Sequence, residues 1–215
     1  MHPALIAVLS VIGGLLFIWL VVFRIVRKVH PMPIPAPLVR LIDNPFRRRL
    51  FSAARTLEQT GIREGMRAFE VGPGTGFLSS EAARRLGGDG RLYCVDVEPQ
   101  VIALLRRKTL EVGADNVSLV VGDAVHLPFR DETLDMSFLV TVLGEIPDKH
   151  GALRELHRVL RPDGTLSVSE LLPDPDYCLK STTVALAAAA SFEPLRASGN
   201  LFAYVVNFRK RDGAS

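Results

Sequence analysis

The sequence has few of the residues that build a disulfide framework or a metal centre. It contains two cysteines, Cys94 and Cys178, among 215 residues, and no His/Cys cluster has the spacing of a metal site. Cys94 lies inside an apolar strand-type run, which predicts a packed core thiol. The formal net charge is only +3, so no nucleic-acid partner is implied. The composition therefore predicts neither a metal nor a nucleic acid as partner.

Charge is also absent from the run Ala4–Phe23, whose one hydroxyl belongs to Ser10. At ~1.5 Å per residue this run gives roughly 30 Å of helix, close to the thickness of a bilayer's hydrocarbon core. Trp19 lies near its end, and basic residues follow the run but do not precede it. The sequence predicts one transmembrane helix, with the N-terminus outside and the bulk of the chain cytoplasmic. A cleaved signal peptide is one alternative, but its basic start and cleavage site are missing. A buried helix of a soluble protein is the other, and twenty apolar residues at the extreme terminus suit it poorly.

The chain divides into three predicted segments. Residues 1–29 are the anchor with its basic flank, residues 30–40 are a proline-rich spacer, and residues 41–215 are one folded domain. In the spacer a proline stands at every second position from Pro31 to Pro37. Proline fixes its own φ and restricts its predecessor, so the spacer is expected to be stiff and extended.

From residue 66 onward, strand-type and helix-type patterns alternate. Strands are predicted at 66–71, 91–97, 117–121, 134–140, 165–171 and 201–209, and helices at 77–86, 99–112, 149–160 and 177–190. The segment 193–199 is the candidate for a further strand. This alternation predicts a doubly wound α/β fold with a parallel sheet and helices on both faces. Ligands of such sheets bind at the carboxyl ends of the strands.

The first predicted strand leads into a loop with an acidic residue and three alternating glycines: Glu70, Gly72, Gly74 and Gly76. Glycines spaced in this way let the backbone turn sharply and let a ligand approach it closely. Two familiar loops are excluded, because Phe77 replaces the third glycine of a dinucleotide fingerprint and no Gly-Lys-Ser/Thr ends the loop. The remaining pattern resembles the nucleoside-binding loop of S-adenosylmethionine (SAM) enzymes.

Carboxylates follow the next two predicted strands. Asp96, with Val97 after it, closes the second strand, where a carboxylate can accept hydrogen bonds from two ribose hydroxyls. Asp123 and Ala124 follow the third strand, where Asp can accept from an adenine amino group, although helix capping is the alternative. Glu70 is expected within reach of the ammonium or sulfonium of SAM; pairing with nearby basic residues is its alternative.

Together these stretches resemble the class I, Rossmann-like SAM-dependent methyltransferases over residues 60–171. The matching stretches are Glu70–Gly76, Val95–Asp96, Gly122–Ala124, Leu127–Phe129, Leu134–Asp135 and Leu156–Gly164. The later ones are similar to the branch that holds quinone C-methyltransferases and bacterial phospholipid N-methyltransferases. The resemblance implies SAM as cofactor and a seven-stranded sheet whose last strand is antiparallel.

The resemblance also implies where SAM would lie. Its methionine part would contact the region of Glu70 and Gly72, its ribose Asp96, and its adenine Asp123 and Ala124. The remaining residues of the predicted cofactor site are Gly74, Gly76, Val97 and Val140.

Glu145 is the candidate catalytic residue. It follows the fourth predicted strand, in a stretch without the (Asn/Asp)-Pro-Pro-aromatic signature of enzymes that methylate amino groups of nucleic acids. A carboxylate here is expected near the methyl acceptor. Three roles remain open for it: a general base, a group that holds a cationic head, or a structural acid that caps a helix.

The resulting prediction is a membrane-anchored methyltransferase whose partners are the lipid bilayer and a lipophilic acceptor such as a phospholipid headgroup, an isoprenoid quinone or a related lipid. Alternatives are a soluble acceptor, with the anchor serving only localisation, and a SAM-binding protein without turnover. Methyl transfer is an in-line displacement in which alignment and exclusion of water can supply ~7–11 kcal/mol. No catalytic triad or metal is therefore needed.

Overall fold

The computed structural model describes residues 3–30, 52–172 and 174–211. The helices are α1 (Pro3–Val29), α2 (Ala53–Thr60), α3 (Ser79–Leu86), α4 (Pro99–Glu111), α5 (Lys149–Val159) and α6 (Lys180–Ala189), with a short 3-10 helix at Leu143–Glu145. The strands are β1 (Arg67–Val71), β2 (Arg91–Asp96), β3 (Val117–Val121), β4 (Leu134–Val140), β5 (Leu160–Leu171), β6 (Phe192–Gly199) and β7 (Ala203–Lys210).

Within the described residues, the strands form one seven-stranded sheet in the order β3-β2-β1-β4-β5-β7-β6. Strands β1 to β5 pair in parallel, whereas β7 runs antiparallel to both β5 and β6. The predicted doubly wound, Rossmann-like sheet with an antiparallel last strand is therefore confirmed. The strand order reverses between β1 and β4, the point at which such sheets bind ligands.

Helices cover both faces of the sheet because successive strand residues point to opposite sides. The neighbours Phe138 and Leu139 of β4 illustrate this: Phe138 packs in a core with side chains of α2, α3 and α4, and Leu139 packs in a second core with α5 and α6. Cys94 is fully buried in the first of these cores and is a free thiol, as its apolar surroundings predicted.

Local sequence signals set the starts of several helices. The side chain of Ser52 accepts a hydrogen bond from the backbone N–H of Arg55 at the start of α2, and Asp148 accepts from Gly151 at the start of α5. Both are residues that favour the N-cap position. Pro99 occupies the first turn of α4, where its missing N–H costs nothing.

Two predicted boundaries differ from the structure by three residues or more. Strand β5 begins at Leu160 rather than at residue 165, because Leu160 pairs with Leu134 of β4 across an irregularity in the register. Helix α6 begins at Lys180 rather than at residue 177, because Tyr177 and Cys178 bond to the far end of the sheet. The Tyr177 hydroxyl donates to the Leu201 carbonyl, and the Cys178 carbonyl accepts from the Tyr204 hydroxyl.

The N-terminal helix does not match its prediction in full. In residues 3–30, 52–172 and 174–211, no helix was found that is both long and apolar enough to cross a membrane. The transmembrane helix and the orientation predicted from Ala4–Phe23 thus gain no support from the described residues. Residues 31–40 of the predicted spacer and the side chain of Trp19 lie outside the described part.

Candidate active site

The glycine loop joins β1 to α3 at the carboxyl edge of the sheet. Gly72 has a φ of 65°, in the left-handed region that favours glycine. Its N–H donates to the Val95 carbonyl at 2.9 Å, which fixes the loop to β2. A Cβ on Gly72 would lie 2.7 Å from Cγ2 of Val142. The loop therefore packs directly against the segment that follows β4, and any side chain at this position would displace it.

A lysine from α4 supports the same loop. The Lys108 Nζ donates to the carbonyl oxygens of Thr75 and Gly76, each at 3.1 Å. Gly76 is packed so closely that a Cβ there would lie 2.3 Å from Cδ1 of Leu105. Lys108 was not predicted as a site residue, because a lysine in the last turn of a helix does not indicate a contact with a distant loop.

Glu70 lies beneath the loop rather than in solvent, with 3% of its surface exposed. Its Oε2 accepts a hydrogen bond from the Ser79 hydroxyl at 2.6 Å and faces the Cys94 Sγ at 3.6 Å. Burial raises the pKa of Glu70 to about 7, although the hydrogen bonds from Ser79 and Cys94 and the charge of Lys108 act in the opposite direction. This carboxyl is therefore able to exchange a proton near neutral pH.

Asp96 stands at the end of β2, half-buried, with Val97 exposed beside it. Its Oδ1 accepts a hydrogen bond from the Glu98 N–H at 3.0 Å. Burial raises the pKa of Asp96 to about 6; the Glu98 N–H lowers it and the Glu98 charge raises it. The Asp96 carbonyl accepts from the Gly122 N–H at 3.0 Å, so the ends of β2 and β3 are tied together.

Asp123 and Ala124 lie in the turn after β3. Asp123 is exposed and its Oδ1 accepts a hydrogen bond from the Val125 N–H at 3.1 Å, whereas Ala124 is buried. Such a bond to a backbone N–H two residues on is an Asx turn. No described helix follows Asp123 directly, so its side chain forms this turn and does not cap a helix.

These residues form the β1–β3 edge, which we define as the glycine loop, Asp96 with Val97, and Asp123 with Ala124. The edge offers a carboxylate to vicinal hydroxyls and a glycine-rich loop backbone to a closely approaching group. The carboxylate of Asp96 and the tight, left-handed backbone turn at Gly72 fit a nucleoside such as that of SAM.

Thr141 marks the passage from this edge to the rest of the site. It follows Val140, the half-buried end of β4, and its φ is 55°. A β-branched residue is rarely found in the left-handed region, and such strain often accompanies functional sites. Its N–H donates to the Ser169 carbonyl at 2.8 Å. Nothing in the sequence signals this conformation.

Glu145 lies just beyond, in the 3-10 helix, with its N–H donating to the Val142 carbonyl at 3.0 Å. It is half-buried. The residue before it, Gly144, has no room for a side chain, because a Cβ there would lie 1.8 Å from the carbonyl oxygen of Asp176. Residues 174–178, called the 174–178 segment below, therefore pack directly against the helix that carries Glu145.

Glu170 is the last residue but one of β5, and it lies under the 174–178 segment. Only 1% of its surface is exposed, and among the described residues its Oε1 has no hydrogen-bond partner. Burial raises the pKa of Glu170 well above its ordinary value; the charge of Asp174 adds to this, the N–H of Cys178 opposes it, and Glu145 and Asp176 add smaller increments. From the sequence, Glu170 was predicted only as part of the strand at 165–171.

The ends of β4 and β5 with Glu145, Glu170 and the 174–178 segment form the β4–β5 edge. Two arginines near the end of α1 reach this edge: Arg24 donates to the carbonyl oxygens of Leu172 and Asp174, and Arg27 donates to Asp176.

In the described residues, no group of three His, Cys, Asp or Glu side chains is placed to hold a metal ion.

Comparisons with known proteins agree with this architecture. A family model described as a methyltransferase domain matches residues 69–168. Curated relatives include ubiquinone/menaquinone biosynthesis C-methyltransferases of Idiomarina loihiensis and Cellvibrio japonicus, 34% and 35% identical over 116 residues. Each match covers 54% of this chain, but 46% and 47% of the relatives, respectively. The chain thus spans about half the length of these relatives.

A solved structure supports the fold over a longer stretch. The SAM-dependent methyltransferase from Aquifex aeolicus superposes with a TM-score of 0.77, covering 83% of this chain and all of that protein, at 22% identity. The seven-stranded sheet is therefore the methyltransferase fold. Residues 69–168 match the model of a methyltransferase domain, and SAM is the cofactor that this domain and fold imply.

Proposed function

We propose that the protein transfers a methyl group from SAM to a lipophilic acceptor, such as an isoprenoid quinone, a phospholipid headgroup or a related lipid. The observation that carries this proposal is the contact between an apolar helix, α1, and the β4–β5 edge. Arg24 and Arg27 lie near the end of this helix and bond to the segment beside Glu145. An acceptor that reaches this edge therefore meets an apolar surface nearby.

SAM supplies an activated methyl group on a sulfonium. The β1–β3 edge holds it: the tight turn at Gly72 lies beside the methionine part, Asp96 accepts hydrogen bonds from the ribose, and Asp123 with Ala124 contacts the adenine. Val97 and Val140 flank the nucleoside and the methionine part, respectively. Glu70, beneath the loop, adds negative charge on the side of the cationic methionine group when it is ionised.

Glu145 serves the acceptor in this proposal. It follows the strained Thr141 on the chain, and Val142 between them contacts the Gly72 position of the cofactor loop. A carboxylate at this place removes a proton from a hydroxyl or carbon acid, or holds a cationic head, depending on the acceptor. Alignment of acceptor and methyl donor, with water excluded, supplies the remaining catalysis.

Two features support a lipid as the acceptor. First, α1 exposes large apolar side chains along most of its length: Ile6, Val8, Val11, Ile12, Leu15, Phe17, Ile18, Val21, Val22, Ile25, Val26 and Val29. Contiguous exposed apolar surface of this kind marks a site of interaction with lipid or protein. Second, the relatives at 34–35% identity are named for ubiquinone/menaquinone biosynthesis. We extend the proposal to location: α1 holds the domain at a lipid surface.

The test uses full-length protein in detergent and SAM labelled on its methyl group. A membrane-lipid extract and a soluble-metabolite extract are offered separately, and label is followed into each. The expected result is label in the lipid fraction that falls strongly in Glu145→Gln. Glu193→Gln, a change on the outer strand β6, is the matched control and should leave transfer unchanged.

Two outcomes would overturn the proposal. Label confined to the soluble fraction would make the acceptor a soluble molecule and reduce α1 to a means of localisation. Absence of label from both fractions, with SAM bound at normal affinity, would favour a SAM-binding protein without turnover.

A further inference from the structure

The C-terminal end of α1 is joined to the methyltransferase domain by a buried ion pair. The Arg27 Nε donates to Oδ2 of Asp176 at 2.7 Å, and the guanidinium also forms a salt bridge with the same carboxylate. Only 6% of the Arg27 side chain and 2% of the Asp176 side chain are exposed. The two residues are 149 positions apart, so the pair fixes two distant parts of the chain to each other.

The ion pair holds the 174–178 segment in place over the β4–β5 edge. The Asp176 carbonyl lies where a Cβ of Gly144 would be, at 1.8 Å, directly beside Glu145. At its other end the segment is fixed through Cys178, whose N–H donates to Glu170 and whose carbonyl accepts from the Tyr204 hydroxyl at 2.8 Å. The segment therefore connects the ends of β4 and β5.

Electrostatics make this arrangement depend on α1. The charges of Asp174, Glu145 and Asp176 all act on Glu170, and the same three act on Arg27. In addition, the Oδ1 of Asp176 is buried without a hydrogen-bond partner among the described residues. A buried carboxylate that loses its cationic partner is strongly destabilised. Without the guanidinium of Arg27, Asp176 is expected to leave its buried position and to take the segment with it.

We propose that Arg27 is a positioning residue for the methyl acceptor: through Asp176 it holds the 174–178 segment against Gly144, so that the acceptor side of the site is completed by α1. That the segment serves the acceptor rests on the proposed function, whereas its attachment through Arg27 does not. Because the glycine loop and Asp96 lie at the ends of β1 and β2, we expect the affinity for SAM not to depend on this ion pair.

The experiment compares full-length wild type with Arg27→Gln, Asp176→Arg, and the reciprocal double variant Arg27→Asp/Asp176→Arg. Arg63→Gln, an exposed arginine before β1, is the matched control. Three quantities are measured: the dissociation constant of SAM, KM and kcat for a demethylated isoprenoid quinol and for phosphatidylethanolamine in detergent micelles, and hydrogen exchange of the 174–178 segment.

Arg27→Gln is expected to raise the KM for the acceptor by at least about tenfold, with the SAM dissociation constant within about twofold of wild type. Exchange in the 174–178 segment should rise as well. The double variant, which restores an ion pair in the opposite sense, should recover both, whereas the single variants do not. A general loss of folding would affect SAM binding together with the KM, and the double variant would not repair it.

The inference is overturned if Arg27→Gln behaves like Arg63→Gln in exchange and in KM, or if SAM binding and acceptor binding are lost together. Failure of the proposed function has a different signature. In that case no lipid is methylated by any of the proteins, while the exchange of the 174–178 segment and its recovery in the double variant still decide whether Arg27 positions it.

Discussion

The two edges of the candidate active site differ in the groups that form them. The β1–β3 edge consists mainly of backbone: a glycine loop, the ends of two strands tied by the bond from Gly122 to Asp96, and an Asx turn at Asp123. The β4–β5 edge consists of charged side chains brought together from distant parts of the chain, as in the pair of Arg27 and Asp176.

The match to known proteins has the same asymmetry. The family model covers residues 69–168, which include the whole β1–β3 edge but neither Glu170, the 174–178 segment nor α1. A nucleoside site made of backbone geometry tolerates few sequences, because a Cβ at Gly72 or Gly76 would collide with the side chains packed against the loop. Enzymes that methylate different acceptors need different acceptor sites, so we expect such a site to be formed by side chains and by segments outside the shared domain.

The largest expected effect tests whether the cofactor loop depends on backbone alone. Gly72→Ala adds a Cβ that meets Val142 at 2.7 Å, so we expect the affinity for SAM to fall by more than about a hundredfold. Isothermal titration with SAM measures it. Gly113→Ala is the matched control, because Gly113 has the same φ of 65° but nothing within 4 Å of its Cβ position. It should cost about 1 kcal/mol of stability through backbone strain and leave SAM binding intact. Equal losses of SAM affinity in both variants would contradict the view that the packing of Gly72 against Val142 shapes the SAM site.

Glu70 is a buried carboxyl beneath the glycine loop, and it makes stability depend on pH. Its folded-state pKa of about 7 lies above the ordinary value of 4.5. The folded state therefore binds the proton more tightly, and the free energy of unfolding falls as the pH rises from 4.5 to 7. Glu70→Gln should be more stable than wild type above pH 7 by about 3 kcal/mol, with little difference below pH 5.

Urea unfolding at pH 5, 7 and 8.5 measures this difference. The control is Glu58→Gln, an exposed position on α2, which should leave the slope of stability against pH unchanged. A Glu70→Gln variant that is less stable than wild type at pH 8.5 would mean that the ionised carboxylate is well compensated, and that the loop depends on charge after all.

Asp96 is the carboxylate of the β1–β3 edge to which the proposed function assigns the ribose. A carboxylate that accepts hydrogen bonds from ribose is needed in its ionised form, and burial raises its pKa to about 6. The affinity for SAM should therefore fall as the pH drops below 6, by about tenfold per unit. Asp96→Asn should bind SAM about ten- to a hundredfold more weakly at pH 8 and lose this dependence. A dependence that survives in Asp96→Asn would assign it to another group, Glu70 first.

The smallest effect concerns Thr141, at the boundary of the two edges. Thr141→Gly relieves the strain of a φ of 55° and should stabilise the protein by about 1 kcal/mol. Because the same residue leads the chain from β4 towards Glu145, kcat should fall. Ser191→Gly, with a φ of 62° far along the chain from the site, should stabilise similarly without affecting kcat. If both variants keep full kcat, the conformation of Thr141 has no part in transfer.

The sequence predicted most of the sheet, because local periodicity carries it. The predicted bounds of β3 and β4 agree with the structure, and the antiparallel last strand came from the resemblance to methyltransferases. The early start of β5 was missed, because Pro162 and Gly164 are typical of a turn. Pairing of Leu160 with Leu134 extends the strand in spite of them.

The β1–β3 edge was equally accessible from sequence, since its residues follow strands directly and form a recognisable motif. The β4–β5 edge was accessible only at Glu145. Arg27 and Asp176 lie 149 residues apart, and nothing local to either predicts the other. Glu170 has the sequence environment of a strand end, and its burial follows from pairing with β7 and from the 174–178 segment above it.

The most direct test of the whole account is a crystal structure of the full-length protein with S-adenosylhomocysteine, the product of SAM after methyl transfer. The account predicts the ribose hydroxyls on Asp96, the adenine beside Asp123 and Ala124, and the sulfur directed towards the β4–β5 edge with Glu145 on the open side. A nucleoside bound elsewhere, or a sulfur directed away from Glu145 and the 174–178 segment, would contradict it.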